Sequence, residues 1–97
     1  MYARVLMAQP EPGKTNELIQ LIRDSVIPEV KQEVGFKGLL LLNERATGRG
    51  ISITLWETLV DLKASETGGY LQQQLSKVAS LLTEPPEIGV YEVSIKV

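Results

Sequence analysis

Phe36-Lys37-Gly38-Leu39-Leu40-Leu41-Leu42-Asn43 and Ile51-Ser52-Ile53-Thr54-Leu55-Trp56-Glu57 are two apolar runs joined by the polar segment Arg45-Ala46-Thr47-Gly48-Arg49-Gly50. The pattern predicts a β-hairpin, with turn chemistry between two strand-like stretches. Side chains alternate along a strand, so Ile51, Ile53 and Leu55 share one face while Ser52, Thr54 and Trp56 share the other. Leu39 to Leu42 send leucines to both faces, so the sheet needs cover on both sides. The small hydroxyl residues beside the chain's single tryptophan leave room and offer hydrogen bonds, which points to a ligand pocket on that face. Strand propensity alone also accounts for a threonine here.

Working outward, Ala3 to Gln9 reads as a first strand, closed by Pro10-Glu11-Pro12-Gly13. Leu18, Ile22, Val26 and Val30 recur every four residues and predict a helix from about Thr15, a candidate N-cap, to about Glu33. Pro28 lies inside that pattern and predicts a kink or break near Asp24 to Ile27, because it has no N–H and crowds the preceding turn. Gly35 is placed to end the helix. After the hairpin, Thr58 with Asp61 three residues on marks a helix start, for a short segment to about Ser65. Gly68-Gly69 interrupts, and Leu71, Leu75, Val78, Ala79 and Leu82 line one side of a helix from Tyr70 to Leu82. The final strand is expected over Val90 to Val97, where Tyr91, Val93, Ile95 and Val97 alternate with polar residues. The order is β-α-β-β-α-β, a ferredoxin-like α+β domain over residues 1–97, with both crossover helices on one face of a four-stranded antiparallel sheet. The opposite face, with Ile51, Ile53 and Leu55, has no cover within the chain, and a second copy packed sheet to sheet is the expected partner.

The 97 residues suit one domain, 43% hydrophobic and 23% charged. The net charge of −2, with no basic stripe, argues against nucleic acid as a partner. Cysteine and histidine are both absent, which removes disulfides, thiolate sites, the commonest general base and the usual haem ligand. No apolar run is long enough to span a membrane and no signal-peptide pattern opens the chain, so the expectation is a cytoplasmic protein. No carboxylate pair or acidic cluster points to a metal. Gly48-Arg49-Gly50 lacks the glycine spacing and following helix of a phosphate loop.

Gly35-Phe36-Lys37-Gly38 at the second strand, Trp56-Glu57 ending the third, Asp61-Leu62-Lys63-Ala64-Ser65 on the next helix and Tyr91-Glu92-Val93 at the end resemble the antibiotic biosynthesis monooxygenase family. The resemblance covers essentially the whole chain. It implies the dimeric α+β barrel, with a pocket between sheet and helices in each subunit and no bound cofactor. Trp56 is similar to the tryptophan that family oxygenases use on this strand. Where they carry an asparagine four residues earlier, this chain has Ser52. Haem-degrading members need a histidine on the following helix, and this chain has none.

The candidate catalytic residues are therefore Trp56, Tyr70 and Ser52: Trp56 to stack on a planar ring, Tyr70 and Ser52 to hydrogen-bond an oxyanion. Candidate substrate-binding residues are Thr54 on the same strand face, Arg4 as a cation for an acidic ligand, and Asn43 at the pocket rim. Each has a plainer structural role open to it: a core tryptophan with a local acceptor, an anchoring tyrosine, an interface arginine, a turn asparagine. Two functions follow. One is a cofactor-free oxygenase of an aromatic or quinol-type substrate. The other is a non-catalytic dimeric protein that binds a small ligand or serves as a scaffold. An RNA-binding module and a regulatory amino-acid-binding domain share the topology, but five aromatics and a negative charge speak against the first, and the second is normally fused to an enzyme.

Overall fold

A computed structural model describes all residues, 1–97. Four strands, β1 (Tyr2–Ala8), β2 (Phe36–Asn43), β3 (Gly50–Trp56) and β4 (Glu87–Glu92), form one antiparallel sheet in the order β2-β3-β1-β4. The helices α1 (Thr15–Leu21), α2 (Ile27–Val30), α3 (Leu59–Thr67) and α4 (Tyr70–Val78) complete the β-α-β-β-α-β order expected from the sequence. The hairpin is present, its turn closed by the Glu44 N–H donating to the Arg49 carbonyl at 2.8 Å and by Gly48 in a left-handed conformation, φ +78°.

Pro28 has a specific solution. Residues Ile22–Val26 form a π-helical turn in which the Ile27 N–H reaches the Ile22 carbonyl, five residues back. The widened turn accommodates the bond that Pro28 cannot make, and Pro28 then sits in the first turn of α2, where a missing donor costs little. The anticipated break is thus a local widening of a continuous helical run. Thr15 is not the cap: Lys14 holds that position and Thr15 is already helical, with no side-chain cap bond. Thr58 does cap α3, its Oγ1 accepting from the Asp61 N–H at 3.0 Å.

The last strand departs most from expectation. β4 ends at Glu92 rather than running to Val97, and Ile95 and Val97 are exposed. The cause is the ladder partner: β4 pairs with β1, and Glu92 is already opposite Tyr2, at the start of that strand. One further bond runs from the Val93 N–H to the Met1 carbonyl at 2.9 Å. The alternating residues past that point lie outside the ladder.

The registers of β1, β2 and β3 explain how the helix-facing side of the sheet is filled. Tyr2 lies opposite Trp56 and Ala8 opposite Gly50, so that both strands grade from large to small in the same direction: Tyr2, Arg4, Leu6, Ala8 beside Trp56, Thr54, Ser52, Gly50. At the large end the core closes. Trp56, Leu62 and Val30 are almost fully buried there, with Phe36, Leu39, Tyr70 and Val90 packed around them. Phe36 meets the Trp56 ring edge-on, centroids 5.9 Å apart. At the small end the same helices have too little side chain beneath them to fill the space.

Candidate functional site

That small end is a cleft between the sheet and helices α1 and α4, enclosing about 630 Å³ of empty space including the part open to solvent. Leu6, Leu39 and Leu41 form its floor beside Ala8 and Gly50; α1 and the π turn contribute Leu18, Ile22 and Val26. Leu71, Leu75 and Val78 of α4 form the facing wall. Eleven of the fifteen lining residues are hydrophobic, and only two polar side chains, Ser52 and Gln74, reach it. The lining contains no carboxylate, lysine, arginine or tyrosine. Chemically, the cleft can enclose an apolar molecule and hydrogen-bond it at one or two points. It presents no acid or base.

The structure brings one of the six sequence-predicted residues, Ser52, into this lining. Ser52 and Trp56 do share a strand face. They are four residues apart, however, about 13 Å along an extended strand. Trp56 is 0% exposed, and its Nε1–H donates to Thr54 Oγ1 at 3.0 Å, so Thr54 is the local acceptor that a buried indole requires. The pocket expected beside Trp56 is therefore displaced toward Ser52 and Gly50, because Phe36, Leu62 and Val30 occupy the space around the ring.

Arg4 is also in the closed end. It is 2% exposed, both Nη1 and Nη2 donate to Ser65 Oγ at 2.9 and 3.0 Å, and its guanidinium carbon lies 5.2 Å from the centroid of the Trp56 ring. Glu66 stands 3.6 Å from Nη1. Burial lowers the pKa of Arg4, and the Glu66 charge opposes that shift; an arginine remains charged throughout. Ser65 in turn donates to the Leu62 carbonyl at 2.6 Å, which fixes its lone pairs toward Arg4. Tyr70, at the start of α4, packs on this cluster, and burial pushes its phenol up to about 12. Asn43 lies at the exposed hairpin end, in a hollow with Glu44, Arg45 and Gly48; it is paired opposite Gly50 of the cleft floor but does not itself line the cleft.

Gln74 is the residue sequence reasoning missed. Its signal was present: it falls three residues after Leu71 and four before Val78, on the apolar stripe of α4, where a polar side chain is anomalous. Gln74 is 6% exposed, and its Nε2 donates to Glu29 Oε2 at 2.6 Å. Lys77, one turn further along α4, lies 2.8 Å from the other oxygen, Glu29 Oε1. The Lys77 and Gln74 bonds hold the Glu29 carboxyl below its ordinary range.

No family model matches the chain. Two uncharacterized proteins, from two strains of Mycobacterium tuberculosis, are each 35% identical over 65 residues, covering 67% of this chain. The chain spans about 28% of the length of these curated relatives. Among solved structures, an antibiotic biosynthesis monooxygenase from Nitrosomonas europaea, so described provisionally, superposes with a TM-score of 0.77 at 23% identity, covering 98% of this chain and 100% of that one. A monooxygenase of Streptomyces coelicolor, solved in complex with nanaomycin D, gives a TM-score of 0.82 at 15% identity, covering 99% of this chain and 89% of that one. The chain has the fold of the antibiotic biosynthesis monooxygenases, as the residues around Phe36, Trp56 and Tyr91 implied.

Proposed function

We propose that this chain is a monooxygenase-like small-molecule protein whose ligand site is the cleft at Ser52, and that it takes an aromatic or quinol-type molecule. The observation that carries the reading is the lining: a mostly apolar cleft between the sheet and the helices, with two polar side chains, Ser52 and Gln74. The likeness in fold to a monooxygenase solved with nanaomycin D supports the same choice of ligand class.

As a cofactor-free oxygenase, the protein would do only part of the chemistry. The lining supplies no base, so the substrate must carry its own acidic group and enter, or ionise, as an enolate. In such a reaction an activated CH2 becomes a carbonyl, one atom of O2 becomes the new carbonyl oxygen, and the other leaves as water. All four electrons come from the substrate. The protein's share is to exclude water and hold the ring, with the Ser52 hydroxyl in reach of the bound molecule. Trp56, Arg4, Thr54 and Tyr70 would act through the rigidity of the closed end. A binding-only role is the second reading, and the absence of a titratable side chain from the lining favours it.

The test is calorimetric binding and oxygen uptake with a panel of naphthols, naphthoquinols and anthrone-type compounds. Binding that weakens at least tenfold in Ser52→Leu, which fills the cleft, supports the site. Oxygen consumption above the uncatalysed rate separates the oxygenase from the binder. If no member of the panel binds the folded protein, the reading fails.

The partner proposed is a second copy. On the sheet face opposite the helices, Leu40, Leu42 and Tyr91 are exposed beside the half-buried Val5, Ile51, Ile53 and Leu55. Covering this face sheet to sheet would bury on the order of 1,500 Å² in total, the size of a stable interface. Sedimentation equilibrium should give a dimer at micromolar concentration, and Leu40→Lys with Leu42→Lys should dissociate it. A monomeric wild-type chain would overturn this part.

A further inference from the structure

The floor of the cleft contains one residue whose lack of a side chain the fold does not require. Gly50 is buried in β3, paired with Ala8 of β1 on one side and Asn43 of β2 on the other. It is not in the left-handed conformation, so its backbone does not demand glycine. A Cβ placed on it would meet Asn43 Oδ1 at 3.6 Å and the Ala8 and Leu42 carbonyl oxygens at 3.9 Å, ordinary van der Waals distances. Other glycines of the sheet have local causes. Gly38 adjoins the register shift of β2 at Phe36, and a Cβ on Gly89 would come within 2.7 Å of the Tyr91 ring. A glycine inside a strand weakens it and, where the ladder is regular, marks a place where another group approaches the backbone closely. By alternation Gly50 shares the helix-facing side with Ser52, and both line the cleft. The volume that a side chain would take at residue 50 is therefore cleft space.

We infer that Gly50 is a specificity-determining residue: it admits the outer ring of a fused-ring phenol whose hydroxyl is held at Ser52. This rests on the cleft being the ligand site and adds how far its ligand reaches. On the other side of Ser52 the strand face is closed. Thr54 Oγ1 is taken by the Trp56 indole N–H, and Trp56 is fully buried. A planar molecule hydrogen-bonded to Ser52 and aligned with the strand runs toward Gly50, two residues or about 7 Å away. That end of the cleft has a fixed limit. Leu82 and Pro86 line it, and their segment is tied to the chain leaving β1: the Thr83 N–H donates to the Gln9 carbonyl at 2.9 Å, and the Glu11 N–H to the Leu81 carbonyl at 2.8 Å. With the wall held, atoms added at residue 50 subtract from the room left for the ligand. One methylene in an apolar pocket discriminates by about 10–200-fold. The class favoured is thus phenols with further rings fused in line beyond the hydroxyl-bearing ring, and residue 50 sets how many are accepted.

The test is fluorescence titration of the full chain, under nitrogen, with 2-naphthol and 2-anthracenol, which carry the same hydroxyl and differ by one ring in line with it. Gly50→Val should lower the ratio of anthracenol to naphthol affinity at least tenfold, and Gly50→Ala should lower it by less. In urea without ligand, Gly50→Ala should unfold at a midpoint equal to or above that of the wild type, because it replaces a strand glycine without strain. Selective loss of the longer probe by a variant no less stable than the wild type is a result that a structural role would not give. Should Gly50→Val fail to fold, the alanine variant decides by both readouts. An unchanged ratio means that the ligand does not reach Gly50 and overturns the inference; the cleft still stands as a site if both probes bind and Ser52→Leu weakens them. A lower urea midpoint in Gly50→Ala means that the fold itself needs the glycine and overturns the inference too. Failure of both probes to bind the wild type refutes the cleft, and the role of Gly50 with it.

Discussion

Replacing Arg4 separates a buried structural charge from a ligand-binding one. Arg4→Ala removes two charge-assisted bonds to Ser65, the stacking on Trp56 and the packing of a side chain that is 2% exposed. The bonds are worth about 1.5–3 kcal/mol and the ring contact about 0.5–2 kcal/mol. Relief of the desolvation that lowers the Arg4 pKa offsets part of this. Glu66 is 24% exposed and can regain water when its partner goes. The loss therefore falls at the low end for a broken buried pair, about 3 kcal/mol. Arg4→Met refills the space with an unbranched apolar chain, and Ser65 keeps its bond to the Leu62 carbonyl. Its cost should be under about 1 kcal/mol, because apolar replacement of a buried ion is often neutral. Urea unfolding at fixed protein concentration measures both. At ordinary slopes, 3 kcal/mol moves the midpoint by about 1–3 M. Probe binding in the cleft should be unchanged in Arg4→Met, since Arg4 lies outside the lining. If Arg4→Met destabilises as much as Arg4→Ala, the charge itself stabilises the fold and the desolvation argument is wrong. If Arg4→Met abolishes probe binding, Arg4 belongs to the site.

Tyr70 makes an alkaline prediction. Burial raises its pKa from about 10 in the unfolded chain to about 12 in the fold, so the native state retains a proton that the unfolded state loses, and stability falls as pH rises between those values. Tyr70→Phe should flatten that alkaline limb, and the difference in phenolate absorbance between wild type and variant should appear near pH 12; a difference rising near pH 10 would contradict the burial. Gly35, at φ +82°, faces the Asp61 side chain, and a Cβ added there overlaps its carboxylate. Gly35→Ala should cost about 2–4 kcal/mol from backbone strain and overlap together, with partial recovery in the Gly35→Ala, Asp61→Ala double variant; strict additivity would rule out the clash. Thr58→Ala should lose about 1 kcal/mol through the missing cap on α3, and no loss in thermal unfolding would mean that the Asp61 N–H finds water instead.

The fold was legible because periodicity and turn chemistry are local properties. Alternation over Ile51 to Trp56, four-residue spacing from Leu18 to Val30 and glycines at Gly35, Gly48 and Gly69 each specify a conformation from neighbours in the chain. The same locality made strand β4 misleading: Val93, Ile95 and Val97 alternate correctly, but a strand exists only where another backbone offers its hydrogen bonds, and β1 begins at Tyr2. Face assignment was local too, so Ser52, Thr54 and Trp56 were rightly grouped on one side of β3.

How deep a pocket lies along that side is a different matter. By itself the sequence determined which residues face the helices. Only the tertiary register aligned Gly50 with Ala8 and Trp56 with Tyr2, so that small residues met small and large met large, leaving a cleft at one end and a closed core at the other. Gln74 depended on the fold in the same way. Its place on an apolar stripe was written in the spacing of α4, but the carboxylate that turns its amide comes from Glu29, 45 residues away. Close packing is decided by what lies opposite, and for these residues the opposite partners come from distant parts of the chain.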